Sequence, residues 1–126
     1  GQRTETLIKS NPFLYFYFSS ILNRNNIFFE NYREIFSACH IRYEEDEKKD
    51  FIHVDDADTI IIYLSQTNLE SGTKFYADDF KSEILCSRFV QNSAVFFSQG
   101  IAHGSFGNHG NTIDDGRMTI NIFLYK

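Results

Sequence analysis

The chain has 126 residues, of which 42% are hydrophobic and 17% aromatic, and its formal net charge is −5. This length and composition predict one globular domain with a substantial core. A single proline and seven glycines argue against a disordered or fibrous chain. Because the sequence is acidic and contains no basic stripe, a nucleic-acid partner has no support.

Two cysteines, Cys39 and Cys86, form neither a CxxC pair nor a metal-ligand spacing. We therefore expect reduced thiols in the core and a cytoplasmic location.

The apolar stretch at 13–18 is too short to span a bilayer and lacks the flanks of a signal peptide, so we expect no membrane association. The sequence begins at Gly1 and not at Met, which fits either a piece of a longer protein or a residue added at the start. The oligomeric state stays open.

The N-terminal part, residues 1–40, is predicted to be a helical or mixed support segment. Asn11 can cap a helix, and Pro12 suits the first helical position. The length and the cap of residues 13–22 favour a helix, whereas their aromatic side chains favour a strand, and both remain open. The polar residues 23–26 predict a turn.

The remainder of the chain contains short β-branched and aromatic runs separated by turn residues. These runs predict eight strands, at 35–43, 51–55, 59–65, 73–77, 84–90, 94–98, 102–106 and 117–125. The charged run at 44–50 predicts a solvated loop. Many short strands with turns between them indicate a mainly-β sandwich or jelly roll.

Two of the predicted strands have one polar face and one aliphatic face, because alternate residues of a strand point to opposite sides. In the last strand the polar face holds Arg117, Thr119, Asn121, Phe123 and Tyr125. In the earlier one it holds Thr59, Ile61, Tyr63 and Ser65. This pattern fits a barrel with a ligand-bearing interior.

Candidate metal ligands occur as a His-x-Asp pair and a later histidine. On a strand, His53 and Asp55 point the same way and can bind one metal, whereas Asp56 points away. His103 follows an apolar strand and a short turn, where a side chain can project into a barrel mouth. His109 is the competing candidate, but a glycine and asparagine loop is a poorer place for a rigid ligand. Two imidazoles and one carboxylate form the ligand set of a mononuclear iron(II) site with open coordination positions.

A candidate anion-binding residue, Arg117, opens the last predicted strand on its polar face. A guanidinium can hold the carboxylate of a co-substrate through two parallel hydrogen bonds. Tyr63, on the polar face of another strand, could share that carboxylate. The alternative is an ordinary salt bridge to one of the 17 acidic residues.

The order His53, Asp55, His103, Arg117 resembles the iron(II)/2-oxoglutarate-dependent dioxygenases. The stretches RYEEDEKKDFIHVDD, TIIIYLSQ, SGTKFY, AVFFSQGIAHG and GRMTINIF are similar to the prolyl 4-hydroxylase-like branch, over about residues 41–126. In that branch a tyrosine precedes the metal histidine by about ten positions, as Tyr43 does here. The segment between His103 and Arg117 is longer than is usual, and the N-terminal support is short.

The resemblance implies a double-stranded β-helix (cupin-like jelly roll) at 41–126, within a single domain 1–126. It implies an iron(II) site formed by His53, Asp55 and His103, with these three residues as the catalytic set. Arg117 would bind 2-oxoglutarate, and the assisting residues would be Tyr63, Thr119 and Tyr43. The implied activity is hydroxylation of a small-molecule or peptide substrate by molecular oxygen, with release of succinate and CO2 and with ascorbate as a possible reductant.

Two alternatives to the hydroxylase remain. One is a cupin-like module that binds a metal or small ligand without turnover, which would not need Arg117 and Tyr63 on the polar faces. The other is a decayed paralogue that folds but is inactive. A carboxylate at position 55, where alanine or glycine would indicate halogenation, favours hydroxylation. Peptidyl proline or a small amino-acid-like molecule is the expected substrate by analogy alone.

Overall fold

The computed structural model of the chain describes residues 2–3, 8, 10–42, 51–107, 110 and 114–126. These parts contain β1 (Gln2–Arg3), α1 (Pro12–Asn23), a 3-10 helix (Phe29–Asn31), β2 (Glu34–Arg42), β3 (Asp58–Tyr63), β4 (Asn68–Tyr76), β5 (Glu83–Phe89), β6 (Ala94–Phe97), β7 (Ala102–Phe106) and β8 (Arg117–Tyr125). Tyr43, His109 and the predicted loop at 44–50 lie outside the described residues.

Two antiparallel sheets contain all of these strands. One has the order β1-β2-β8-β3-β6 and the other the order β5-β4-β7. The connections β3–β4, β5–β6, β6–β7 and β7–β8 each pass from one sheet to the other. This alternation between sheets is the winding of a jelly roll, and it confirms the predicted mainly-β, double-stranded β-helix fold. The division of the chain into a support segment and a core at residue 40 stays a prediction.

Residues 13–22, for which the sequence favoured neither helix nor strand, belong to helix α1. The Asn11 side chain accepts hydrogen bonds from the backbone N–H groups of Phe13 and Leu14, at 3.0 and 3.2 Å. With Pro12 in the first turn, this cap satisfies donors that the helix itself leaves without partners. The predicted turn after the helix is also present, with Asn26 at a φ of 62°.

The central strands β3 and β8 separate two hydrophobic clusters. On the outer face, Leu22 and Phe29 from the N-terminal elements join a cluster containing Ile8, Ile60, Ile122 and Leu124. The inner cluster between the sheets consists of Ile61, Tyr63, Phe75, Phe89 and Phe97. Ile60 and Ile61, successive residues of β3, lie in different clusters, and Ile122 and Leu124 of β8 lie together in the outer one. The alternation predicted for both strands is therefore confirmed.

The strand predicted at 51–55 is wrong in extent. In this segment His53 alone forms a β-bridge, and its partner is His103 on β7. Asp55 follows in extended chain without belonging to a ladder, and the next strand begins at Asp58. Five residues next to a predicted strand gave too little pattern to distinguish a paired strand from an extended segment.

Both cysteines are half-buried and lie in different sheets, Cys39 on β2 and Cys86 on β5. No disulfide joins these two described residues. Burial raises the pKa of the Cys39 thiol, which favours its neutral form. As for membranes, no helix within the described ranges has both the length and the apolar content that a transmembrane span requires.

Candidate metal centre

Reciprocal backbone hydrogen bonds hold the segment at 53 against the start of β7. The His53 N–H donates to the His103 carbonyl at 3.0 Å, and the His103 N–H donates to the His53 carbonyl at 2.9 Å. The Gly100 N–H donates to the Asp55 carbonyl at 3.0 Å. Directly opposed residues in an antiparallel pair present their side chains to the same face. The two imidazoles, fifty positions apart in sequence, therefore lie side by side.

The Asp55 carboxylate lies between the two imidazoles. His103 Nε2 is 3.2 Å from Asp55 Oδ2, and His53 Nε2 is 3.6 Å from Asp55 Oδ1. The ring centroids of the two histidines are 4.3 Å apart. One potential ligand atom from each residue lies within 4.8 Å of the others. The structure thus brings together the three residues that the sequence singled out as metal ligands.

The orientation of each imidazole is fixed by a carbonyl two residues earlier. His103 Nδ1 is 2.8 Å from the Ile101 carbonyl oxygen, and His53 Nδ1 is 3.2 Å from that of Phe51. A carbonyl only accepts, so each bond requires the hydrogen on Nδ1, and in a neutral ring Nε2 then keeps its lone pair. Metal-binding histidines are oriented in this way by a second hydrogen bond. Both Nε2 atoms point towards the carboxylate.

The cluster becomes less exposed from His53 to His103. The side-chain exposure falls from 38% at His53 to 22% at Asp55 and 6% at His103. Burial opposes ionisation of Asp55. When the imidazoles are in their cationic form, a hydrogen bond and charge from His103, charge from His53 and a hydrogen bond from Thr59 outweigh burial, so the pKa of Asp55 is lowered. Asp55 is therefore an anionic ligand candidate at neutral pH.

The donor set passes the geometric test for a divalent transition metal. At bonds of about 2.1 Å to nitrogen or oxygen, adjacent ligands at right angles lie about 3 Å apart. The 3.2 Å separation from His103 to Asp55 is close to that value, and a shift of a few tenths of an ångström by the half-exposed His53 side chain, now 3.6 Å away, would bring it to the same value. Two imidazoles and a carboxylate occupying one side of an ion leave coordination positions for other ligands.

Aromatic rings line the inner side of the cluster. The Phe97 ring is 4.5 Å from the His103 ring, and the Phe75 ring is 6.3 Å from it. Both phenylalanines are almost fully buried. This apolar wall limits water around His103 and lowers the local dielectric, which strengthens charge interactions there.

The predicted anion-binding residue, Arg117, reaches into the barrel from the start of β8. Its Nη2 donates to the Gly72 carbonyl at 3.3 Å. Its guanidinium carbon is 5.9 Å from the centroid of the Tyr63 ring and 5.4 Å from that of Phe89. Such a cation beside aromatic faces is favourable, and the apolar surroundings would strengthen a bond to a carboxylate.

The predicted assisting residues Tyr63 and Thr119 lie opposite each other on β3 and β8 and are fully buried. The Tyr63 hydroxyl donates to Thr73 Oγ1 at 2.9 Å and is 3.2 Å from Ser87 Oγ. Thr119 Oγ1 donates to the Asn121 side-chain oxygen at 2.8 Å. The third assisting residue, Tyr43, and the competing ligand His109 lie outside the described residues.

The separation between Arg117 and the histidine cluster follows from the β4–β7 register. Phe75 pairs with His103, and Gly72, whose carbonyl accepts from Arg117, is three residues earlier on β4. At about 3.3 Å per residue, these two positions are about 10 Å apart along β4. A cavity of ≈ 700 Å³ opens at the Arg117 end, and its wall also includes Asp114 and Asp115.

No protein-family model and no curated protein matches this sequence. Among solved structures, the chain is similar to KdgF from Halomonas sp., with a TM-score of 0.52 and 10% identity over 74% of this chain and 70% of that one. It is also similar to the conserved protein SPY1581 of unknown function from Streptococcus pyogenes, with a TM-score of 0.51 and 8% identity over 75% and 67% of the two chains. At these identities the likeness shows the fold alone. The chain is a cupin-type β-barrel that carries a His-Asp-His cluster.

Sequence reasoning missed one acidic residue that supports this site. Asp58, the first residue of β3, is only 4% exposed and accepts a hydrogen bond from the Gln99 N–H at 2.8 Å. It also accepts from the Tyr32 hydroxyl at 2.9 Å, and Lys126 Nζ is 3.5 Å away. Asp58 thereby fixes the turn that leads into β7 and His103. An acidic residue directly before a β-branched run was the available signal.

Proposed function

We propose that the protein is an iron(II)- and 2-oxoglutarate-dependent dioxygenase that hydroxylates a small-molecule or peptide substrate. The observation that carries the proposal is that the guanidinium of Arg117 lies beside the inner-cluster rings of Tyr63 and Phe89, in the same barrel interior as the His53, Asp55 and His103 cluster. A metal-binding barrel without a co-substrate has no need of this interior cation. The resemblance of the sequence to the prolyl 4-hydroxylase-like branch supports the same assignment.

In this proposal His53, Asp55 and His103 hold the metal on one side. The Nδ1 hydrogen bonds to the Phe51 and Ile101 carbonyls keep both Nε2 atoms aimed at the ion. Asp55 supplies one negative charge, so a divalent ion in the site would retain positive charge that attracts an anionic co-substrate. Iron(II) with 2-oxoglutarate and dioxygen supplies C–H hydroxylation when bound, with succinate and CO2 as co-products, and ascorbate would serve as reductant.

Arg117 would hold the far carboxylate of 2-oxoglutarate. An extended five-carbon chain is about 5 Å long, and a metal bond of about 2 Å and a hydrogen bond of about 3 Å bring its reach to about 10 Å. That reach is of the same order as the offset along β4 between Gly72, which accepts from Arg117, and Phe75, which pairs with His103.

Tyr63 and Thr119, on facing strands beside Arg117, would assist by turning to the same carboxylate the hydroxyl hydrogens that they give to Thr73 and Asn121 in this structure. Tyr43 would line the pocket.

The test is iron-dependent conversion of 2-oxoglutarate to succinate, followed by NMR, with wild type, Arg117→Met and the control Arg88→Met. Arg88 is an exposed arginine on β5 whose guanidinium donates to the Leu69 carbonyl. Arg117→Met should weaken 2-oxoglutarate binding by about 100-fold or more, because a buried carboxylate would lose its partner. Iron binding should be unchanged. Equal co-substrate affinity in both variants would remove Arg117 from the role.

A cupin-like module without turnover is the second candidate. The cavity at the Arg117 end favours it, because amide and hydroxyl side chains line much of that cavity and Asp114 and Asp115 oppose an anionic ligand. Stoichiometric iron binding without any succinate, after anaerobic loading and exposure to oxygen, would favour the module over the enzyme.

A further inference from the structure

Helix α1 is apolar around most of its circumference. Its sequence, PFLYFYFSSILN, contains no charged side chain. On one side of the helix, Phe18 and Leu22 pack into the outer cluster on the five-stranded sheet. A helix that is apolar all round is typically covered by protein on all sides, whereas the sheet covers only one side of α1.

The opposite side of α1 exposes four large apolar residues, which we call the aromatic stripe: Phe13, Phe16, Tyr17 and Ile21. Their spacing of three and four residues places them on one face of the helix. Their exposed fractions are 80%, 74%, 55% and 37% in that order. Ser20 lies in the same stripe, and its hydroxyl donates to the Phe16 carbonyl at 2.9 Å, so this hydroxyl keeps a partner when it is covered.

The exposed area of the aromatic stripe is sufficient for a small interface between two copies of the chain. An aromatic side chain has about 200 Å² of accessible surface, so the exposed fractions leave about 500 Å² on each copy and about 1,000 Å² on two. That area reaches the lower limit of about 1,000 Å² for a specific interface. Residues around the stripe would add to it.

The lack of charge on α1 selects among possible occupants of the stripe. Helices that lie on membrane surfaces carry lysines or arginines on their polar face, whereas α1 has none and the chain has a net charge of −5. A charged protein partner would find no opposite charge on the helix. A second copy of α1 offers an apolar surface of the same kind and brings no like charges into contact.

The aromatic stripe also matches itself under two-fold symmetry. Phe13 and Ile21 are each four residues from Tyr17, so two antiparallel helices that cross at Tyr17 would place Phe13 of one copy against Ile21 of the other. Arg24, which caps the end of the helix, lies about 10 Å from Tyr17 along the axis. The two copies of Arg24 would be about 20 Å apart, well beyond the Debye length of about 8 Å.

We infer that the protein forms a symmetric dimer in solution through the aromatic stripe of α1. The helix covers the outer face of the five-stranded sheet, whereas His103 contacts rings of the inner cluster. The dimer therefore does not cover the candidate metal centre, and the inference does not depend on the proposed function. Because the interface is small, the dimer is reversible, with an expected dissociation constant of about 10–100 µM.

Sedimentation equilibrium of the full chain, over about 5–500 µM, tests the dimer. The average mass of wild type should rise from the monomer value towards twice that value. Phe16→Glu should weaken the dimer by about 30-fold or more, because it buries a carboxylate in the stripe of each copy. Leu69→Glu is the control, since Leu69 is 55% exposed and lies on β4, and it should dimerise as wild type does. A wild type that stays monomeric, or equal dimerisation of both variants, would overturn the inference.

The variants Tyr17→Lys and Tyr17→Glu test the two-fold symmetry. Each variant alone would bring two like charges together where the helices cross, and it should be monomeric over the same range. An equimolar mixture would bring opposite charges together there, and it should dimerise at least about tenfold more tightly than either variant alone. A mixture that stays monomeric while wild type dimerises would overturn the symmetric arrangement.

Other occupants of the aromatic stripe give different results. A wild type that is monomeric but sediments with phosphatidylcholine vesicles would assign the stripe to a lipid surface and overturn the inference. A wild type that is monomeric and does not bind vesicles would assign it to another protein segment, which also overturns the inference. Phe16→Glu should bind iron(II) as wild type does, because its side chain lies outside the cluster of candidate ligands, and this result shows that the variant is folded.

Discussion

His53 and His103 are joined by two reciprocal backbone hydrogen bonds, at 3.0 and 2.9 Å, and their imidazole rings lie 4.3 Å apart. The pairing fixes the backbone of one ligand candidate to that of the other. A metal site assembled in this way is organised before the ion binds, because little further ordering of the chain is required. The matching Nδ1 hydrogen bonds extend this organisation to the rings.

We predict that Asp55→Asn lowers iron(II) affinity by more than about 100-fold. Changing a residue that merely hydrogen-bonds to a metal ligand costs about 10–100-fold, and this change removes the anionic ligand itself. Asp56→Asn is the matched control, since the neighbouring carboxylate is exposed and lies outside the cluster. Anaerobic metal titration followed by elemental analysis measures both variants. Stoichiometric iron in Asp55→Asn would remove this residue from the ligand set.

The hydrogen bond between Tyr32 and Asp58 should be visible in a spectrophotometric titration. Burial, together with the hydrogen bond to Asp58 and the charge of its carboxylate, raises the pKa of Tyr32 to about 12. Subtracting the absorbance titration of Tyr32→Phe from that of wild type should isolate this late ionisation. In an Asp58→Asn background the same difference should move towards the ordinary tyrosine pKa of about 10. No movement would show that Asp58 does not hold the Tyr32 proton.

Asp58 should also make folding stability depend on acid pH. Burial opposes its ionisation, but the Gln99 N–H, the Tyr32 hydroxyl and Lys126 outweigh burial and lower the pKa of Asp58. The carboxylate therefore stabilises the fold above its unfolded pKa of about 3.9, and this contribution is lost as the pH falls through the folded pKa. Urea unfolding should show Asp58→Asn less stable than wild type at pH 6, with a smaller gap at pH 3. A gap that does not change with pH would contradict the prediction.

Gly72 should tolerate no side chain. Its φ of 151° lies in a region that favours glycine, and an added Cβ would collide with the Ser87 carbonyl oxygen on β5. Its own carbonyl accepts from Arg117, so a shift of β4 would also move the guanidinium. We expect Gly72→Ala to cost about 3 kcal/mol or more of unfolding free energy.

Gly100→Ala is the control for Gly72→Ala, because Gly100 also has a positive φ, of 83°, but open space around its Cβ position. It should cost only about 1–2 kcal/mol, from the left-handed backbone alone. Chemical denaturation measures both changes. Equal losses in the two variants would show that the contact with β5 is unimportant.

The fold was largely predictable because its signals are local. The alternation in 117–125 correctly assigned Ile122 and Leu124 to one face and Thr119 to the other. The cap at Asn11 was also correct, since a side chain two or three residues away satisfies the helix donors. The sequence did not decide between helix and strand at 13–22, because the packing contacts of this segment are not local. Leu22 packs on strands β3 and β8, which are far away in sequence.

The sequence by itself determined the residue types of the candidate site and their order: two imidazoles, one carboxylate and one guanidinium, the last on a strand with a polar face. Tertiary structure alone decided that His53 pairs with His103, that Asp58 fixes the turn before β7, and that one side of α1 is left exposed. The physical reason is that antiparallel pairing and burial join residues through contacts whose partners are distant in the chain. Periodicity reports which way a side chain points, but not which side chain it meets.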